Sequence, residues 1–172
     1  MKILITSLSL LILTTGLFAQ NDAISRFYSA YEEGEGFTKI TMGSKMFQMF
    51  MHLEGTTEQE KQMIETVSKI EGMKILALEN DQIGKSQEMY KSALKKPSSE
   101  YETLMTVEDE GIKMSFFIRE SNGKVAELLM ISGGPSEFMI MSLLGDIDLN
   151  QIANLGRSMN IEGMNKLQFI EE

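Results

Sequence analysis

The sequence has no cysteine and no tryptophan, only two prolines and a single histidine. Without cysteine there can be no disulfide, no iron–sulfur cluster, no thiol nucleophile and no cysteine-bound zinc. One histidine, His52, rules out sites built from several imidazoles. It leaves a Ser-His-Asp arrangement only if that arrangement runs through His52 itself. Basic residues are the minority charge, 16 Lys plus Arg against 25 Asp plus Glu, for a net charge of -9. A domain this acidic repels nucleic acid and anionic membrane surfaces. Also missing are a P-loop ending, a Gly-x-Ser-x-Gly elbow, a His-Glu-x-x-His helix and the Ser-x-x-Lys set.

What is present begins with an address. Lys2 precedes a mostly apolar run from Ile3 to Phe18, and no further charge occurs before Asp22. Leu17-Phe18-Ala19 supplies a small residue at a cleavage point. The pattern predicts a secretory signal peptide over residues 1–19 and a mature chain beginning at Gln20. The run is short for a bilayer span and has no basic stop-transfer flank. With no cysteine to acylate, the expected product is exported, periplasmic or secreted, with no membrane anchor after cleavage.

Residues 20–172 read as a single α+β domain, long enough to bury a core without staples. Asn21 or Asp22 caps a predicted first helix with Ile24, Phe27, Tyr28 and Tyr31 on one face. A short strand, Phe37 to Met42, is followed by a helix restarting at Ser44. Thr57 and Glu60 have the spacing of a capping box, and Met63, Ile64, Val67 and Ile70 form the stripe of the helix behind it. Gly72 is expected to close that helix and Met73 to Leu78 to form a central strand. Residues 83–95 predict a further helix, with Ile83, Met89, Tyr90, Ala93 and Leu94 inward and Lys85, Lys91, Lys95 and Lys96 outward.

The period then changes to two. Strands over Tyr101–Val107 and Ile112–Arg119 flank a turn at Glu108-Asp109-Glu110-Gly111. Asn122-Gly123 is a strong hairpin signal, and Lys124–Ile131 is its return strand. Gly133-Gly134-Pro135-Ser136 turns into Glu137–Leu144, and Asp148 caps a last helix with Gln151 at its third position. The fold expected is α+β: a mainly antiparallel sheet with a C-terminal meander of hairpins and helices packed on one face.

Few residues suggest chemistry. Asp146 and Asp148 bracket Ile147 at a strand-to-helix junction, where they suit a Ca²⁺ site, an acid–base pair or a helix cap; the loop is too short for an EF-hand. A cap for Asp148 needs no ligand, and it is the reading preferred. Glu102 and Glu137 are the carboxylates that would have to join them in a cleft for hydrolysis. His52 reads as a surface or cap residue, and the lysine face at 85–96 as solvated. The 15 methionines mostly fall on core-facing stripes where Leu or Ile would serve, with partner binding and Cu(I) binding as lesser alternatives.

Several segments together resemble the DUF4252 family of small exported proteins from Bacteroidota. They are Ile24-Ser25-Arg26-Phe27-Tyr28, Phe37-Thr38-Lys39-Ile40, Ser44-Lys45-Met46-Phe47, the Ile70–Leu76 segment, Tyr101-Glu102-Thr103-Leu104-Met105 and Gly145-Asp146-Ile147-Asp148-Leu149. The resemblance implies a periplasmic or cell-envelope domain and carries over no catalytic residue or cofactor. Many members carry a lipobox cysteine, and this sequence departs from them there.

These readings assign no catalytic, cofactor-binding or metal-binding residue and no cofactor. The function expected is a non-enzymatic exported envelope domain that binds a protein partner. The alternatives are a small-molecule or lipid-binding module held between sheet and helices, and a carboxylate-dependent hydrolase around Asp146 and Asp148. The open edges of a meander also allow pairing between chains, so a homodimer is compatible with the sequence.

Overall fold

The two-residue period after Tyr101 becomes four hairpin-connected strands in the computed structural model, which describes residues 36–50, 56–78, 84–95, 97 and 99–158. These strands are β3 (Tyr101–Asp109), β4 (Ile112–Ser121), β5 (Lys124–Gly133) and β6 (Phe138–Ile147). Asn122 and Gly123 both lie in the left-handed region (φ 55° and 74°), as do Glu110 and Gly111 (φ 49° and 84°). Two such residues in succession form the tight turn whose twist matches the flanking strands. The expected turn at Glu108–Gly111 is therefore shorter, because Glu108 and Asp109 continue β3.

Two earlier strands, β1 (Phe37–Gly43) and β2 (Ile70–Leu78), complete an antiparallel sheet in the order β1-β2-β6-β5-β4-β3. β2 pairs with β6, so the last strand of the meander is central, and β1 and β3 are the two edges. β2 begins earlier than the sequence suggests. Ile70 pairs with Gly145, and Gly72 sits within the strand at an irregularity rather than ending the preceding helix. The Ile70 side chain is buried in the core on one face of the sheet.

The helices are α1 (Ser44–Phe50), α2 (Glu58–Ser68), α3 (Lys85–Ala93) and α4 (Leu149–Ser158). Thr57 caps α2 as expected: its Oγ1 accepts the Glu60 N–H, while Glu60 Oε2 accepts the Thr57 N–H at 3.0 Å and the Thr56 N–H at 2.7 Å. The predicted signal segment 1–19, the first helix with Ile24 to Tyr31, His52, Ile83 and Lys96 lie outside the described residues.

The sheet is buried on both sides, and the helices divide between them. α1, α2 and α4 keep to one face, as expected, with Phe47, Val67, Ile152 and Ala153 packed around Phe116, Leu128, Met130, Met141 and Leu143. α3 is on the other, where Met89, Tyr90 and Ala93 meet Leu76, Phe117, Leu129, Ile131, Phe138 and Ile140. Successive residues of a strand point to opposite faces, so the unbroken buried run from Glu127 to Gly134 reports a sheet covered twice. A fully buried side chain such as Phe116 or Leu129 contributes about 1.5–3 kcal/mol. α3 lies so close that a Cβ on Gly133 would stand 2.6 Å from Tyr90 Cβ, which explains a glycine inside β5.

Candidate functional site

Asp146 and Asp148 both border an open depression of about 520 Å³ at the end of the sheet, with Lys69, Glu120, Lys124 and Asn150 around it. Their bonding differs. Asp148 Oδ1 accepts the N–H groups of Asn150 and Gln151 at 3.0 and 3.1 Å, which makes it the cap of α4. Asp146 pairs with exposed Lys124 across the β5–β6 hairpin, and its own N–H donates to the Lys69 carbonyl at 3.1 Å. Lys69 is held above the usual lysine range by its hydrogen bond to Glu65, with the charges of Asp146 and Asp148 adding to that effect.

The junction is shaped by Gly145. At φ 149° it packs against the start of β2, where a Cβ would fall 2.2 Å from the Lys69 carbonyl oxygen. Only glycine lets β6 pass so close. The two further carboxylates needed for a hydrolytic cleft do not converge here. Glu137 stands at the opposite end of β6, and Glu102 is on edge strand β3, facing Ile118 of β4. Among the described residues no three histidine, aspartate or glutamate side chains gather closely enough to hold a metal ion.

A second polar cluster was not anticipated from the sequence. Glu127 on β5 has no exposed surface, yet both of its oxygens are bonded. Oε2 accepts the Tyr101 hydroxyl at 2.7 Å and Arg119 Nη2 and Nε at 3.0 and 3.2 Å, and Oε1 accepts the Ser142 hydroxyl at 2.7 Å. The donors come from β3, β4 and β6, so the network ties four adjacent strands on the α3 face. An irregularity at Ala126 positions it: Val125, two residues back, packs with the opposite core, while Glu127 turns toward Arg119.

Arg119 also stands 6.0 Å from the centre of the Tyr101 ring. Burial works against its charge, but the hydrogen bonds to Glu127 and Tyr101 more than offset this and raise its pKa. With both carboxylate oxygens bonded within the sheet, the arrangement fits a buried structural ion pair better than a group waiting for substrate. The signal for it was one carboxylate in the otherwise apolar run from Val125 to Ile131. Nearer the tip of α3, the Tyr90 hydroxyl lies 3.0 Å from Ser115 Oγ, which is itself 3.3 Å from Thr106 Oγ1.

The described methionines fall into buried, half-buried and exposed groups, and Met42, Met73, Met105 and Met139 are half-buried against the core. Met89, Met114, Met130 and Met141 are buried, in keeping with core filling. Met46 and Met49 on α1 and Met63 on α2, expected on inward stripes, are 47%, 67% and 40% exposed, and Ile40 on β1 is 39% exposed. These residues sit on neighbouring elements: α1 follows β1 directly and packs beside α2. The lysines at 85, 91 and 95 are exposed as expected, while Leu94, expected inward, is 37% exposed because α3 ends at Ala93.

Comparison with known proteins bears out the family resemblance, over a range that begins after the Ile24–Tyr28 segment. The profile of DUF4252, a domain of unknown function, matches residues 31–155. The chain belongs to the DUF4252 family. No curated protein and no solved structure matches it. The DUF4252 match spans the sheet from β1 to β6 and most of α4, so Gly145, the Asp148 cap and the Glu127 network all fall within it.

Proposed function

We propose that this DUF4252 protein is an exported cell-envelope domain that works by binding a protein partner rather than by catalysis. The observation that carries the reading is the exposure of Met46 and Met49 on α1, Met63 on α2 and Ile40 on β1, three neighbouring elements. Clustered exposed apolar side chains mark interaction sites in soluble domains. Methionine suits such a surface because its unbranched, polarisable side chain adapts to the shape of a partner. Export is supported by the Lys2–Ala19 pattern, and a partner-binding role by the bonding of Asp148 and Glu127, whose oxygens serve the fold.

The test is affinity purification of C-terminally tagged protein from the periplasmic fraction after crosslinking in cells, read by mass spectrometry. The expected result is one stoichiometric partner and a mature N-terminus at Gln20. Self-crosslinks alone would contradict partner binding, and an N-terminus still at Met1 would contradict export.

A further inference from the structure

We infer that the outer edge of β3 receives an extended basic segment of another protein as an additional strand. This surface is separate from the methionine face and rests on different observations. β3 ends the sheet, and among the described residues nothing pairs with its outer side. Its pairing with β4 starts from the two-residue turn at Glu110-Gly111, whose flanking pair Asp109–Ile112 bonds inward. Inward and outward groups alternate along an antiparallel strand. Glu108 and Thr106 therefore direct their N–H and C=O away from the sheet, toward an incoming chain.

The side chains along this edge define what can dock. β3 carries one extra residue at Leu104, which places Leu104 and Met105 with Val107 on one face, all three half-buried against the apolar cluster. An added strand with apolar residues at alternate positions would extend that layer. Acids stand at both ends: Glu100 and Glu102 before this apolar stretch, Glu108, Asp109 and Glu110 after it, all exposed. On the adjoining strand Lys113 stands 3.3 Å from Glu108. Two copies of the edge laid side by side would set one acidic run against another, so the charges oppose self-pairing. A segment with lysine or arginine flanking a short β-forming centre meets them with opposite charge.

The experiment uses the purified protein and two fluorescent peptides of alternating threonine and valine, one with lysines at both ends and one with glutamates. Fluorescence anisotropy should show saturable binding of the lysine peptide only, weakening about tenfold as salt rises from about 50 to about 300 mM. Thr106→Pro removes an outward donor at a position where an edge strand tolerates proline, and should cut that binding about tenfold. A Glu102→Lys/Glu108→Lys variant keeps the backbone intact and should reverse the peptide preference, so a folding defect in T106P does not decide the matter. Met49→Glu should leave the peptide affinity unchanged. Equal binding of both peptides, binding of neither, or no reversal by the lysine variant would overturn the proposal.

Discussion

Arg119 and Glu127 face each other across β4 and β5, with Arg119 Nη2 3.0 Å from an Oε2 atom that water does not reach. Removing one partner of such a pair strands the other charge, at a cost of about 3–5 kcal/mol. Arg119 keeps 27% of its side-chain surface and Glu127 keeps none. Arg119→Ala should therefore destabilise more than Glu127→Gln, which leaves a partly solvated guanidinium. Tyr101→Phe removes one bond to the buried carboxylate and should cost about 1.5–3 kcal/mol. Urea unfolding of the three variants would check the order.

Asp148 gives a prediction that separates capping from chemistry. Asp148→Ala should lose about 1 kcal/mol of stability, and Asp148→Asn, which can still accept both N–H bonds, only a few tenths. Chemical denaturation would read both. Equal losses for Ala and Asn would mean that the negative charge, rather than the cap geometry, is what the junction requires.

Glu60 predicts an acid-side signature. Its hydrogen bonds with Thr56 and Thr57 lower its pKa from 4.5 to about 2. A carboxylate whose folded pKa lies below its unfolded value stabilises the fold above the unfolded pKa, and that contribution disappears as pH falls through the folded one. The start of α2 should thus loosen between about pH 4.5 and pH 2. Titration of the Glu60 carboxyl by NMR should give a midpoint near the lower value, moving up in a Thr56→Val/Thr57→Val variant.

Local signals carried the legible part of this fold. The Asn122-Gly123 turn, the Thr57–Glu60 capping box and the Asp148 cap each depend on residues within four positions of one another. They stood out in the sequence and formed as read. The insertion of β6 between β2 and β5 depends on partners about 70 residues apart, as in Ile75 against Met141. No local pattern encodes such a pairing. The placement of α3 opposite the other helices was hidden for a related reason: Leu128 to Ile131 is uniformly apolar, and such a run does not say which side chains meet which helix. Asp146 and Asp148 stand out because they are carboxylates two residues apart at a strand-to-helix junction. Glu127 does not, since its partners lie on three other strands.

Partner binding through the methionine face is tested most directly by position-specific photocrosslinking in intact cells. A photoreactive amino acid would replace Met49 on α1 in one strain and Gln87, exposed on α3 across the sheet, in another. Position 49 should give one discrete adduct of a second protein, lost when Met46 and Met63 are changed to glutamate. Position 87 should give none. The same adducts from both positions, or only copies of the chain itself captured at position 49, would contradict the account.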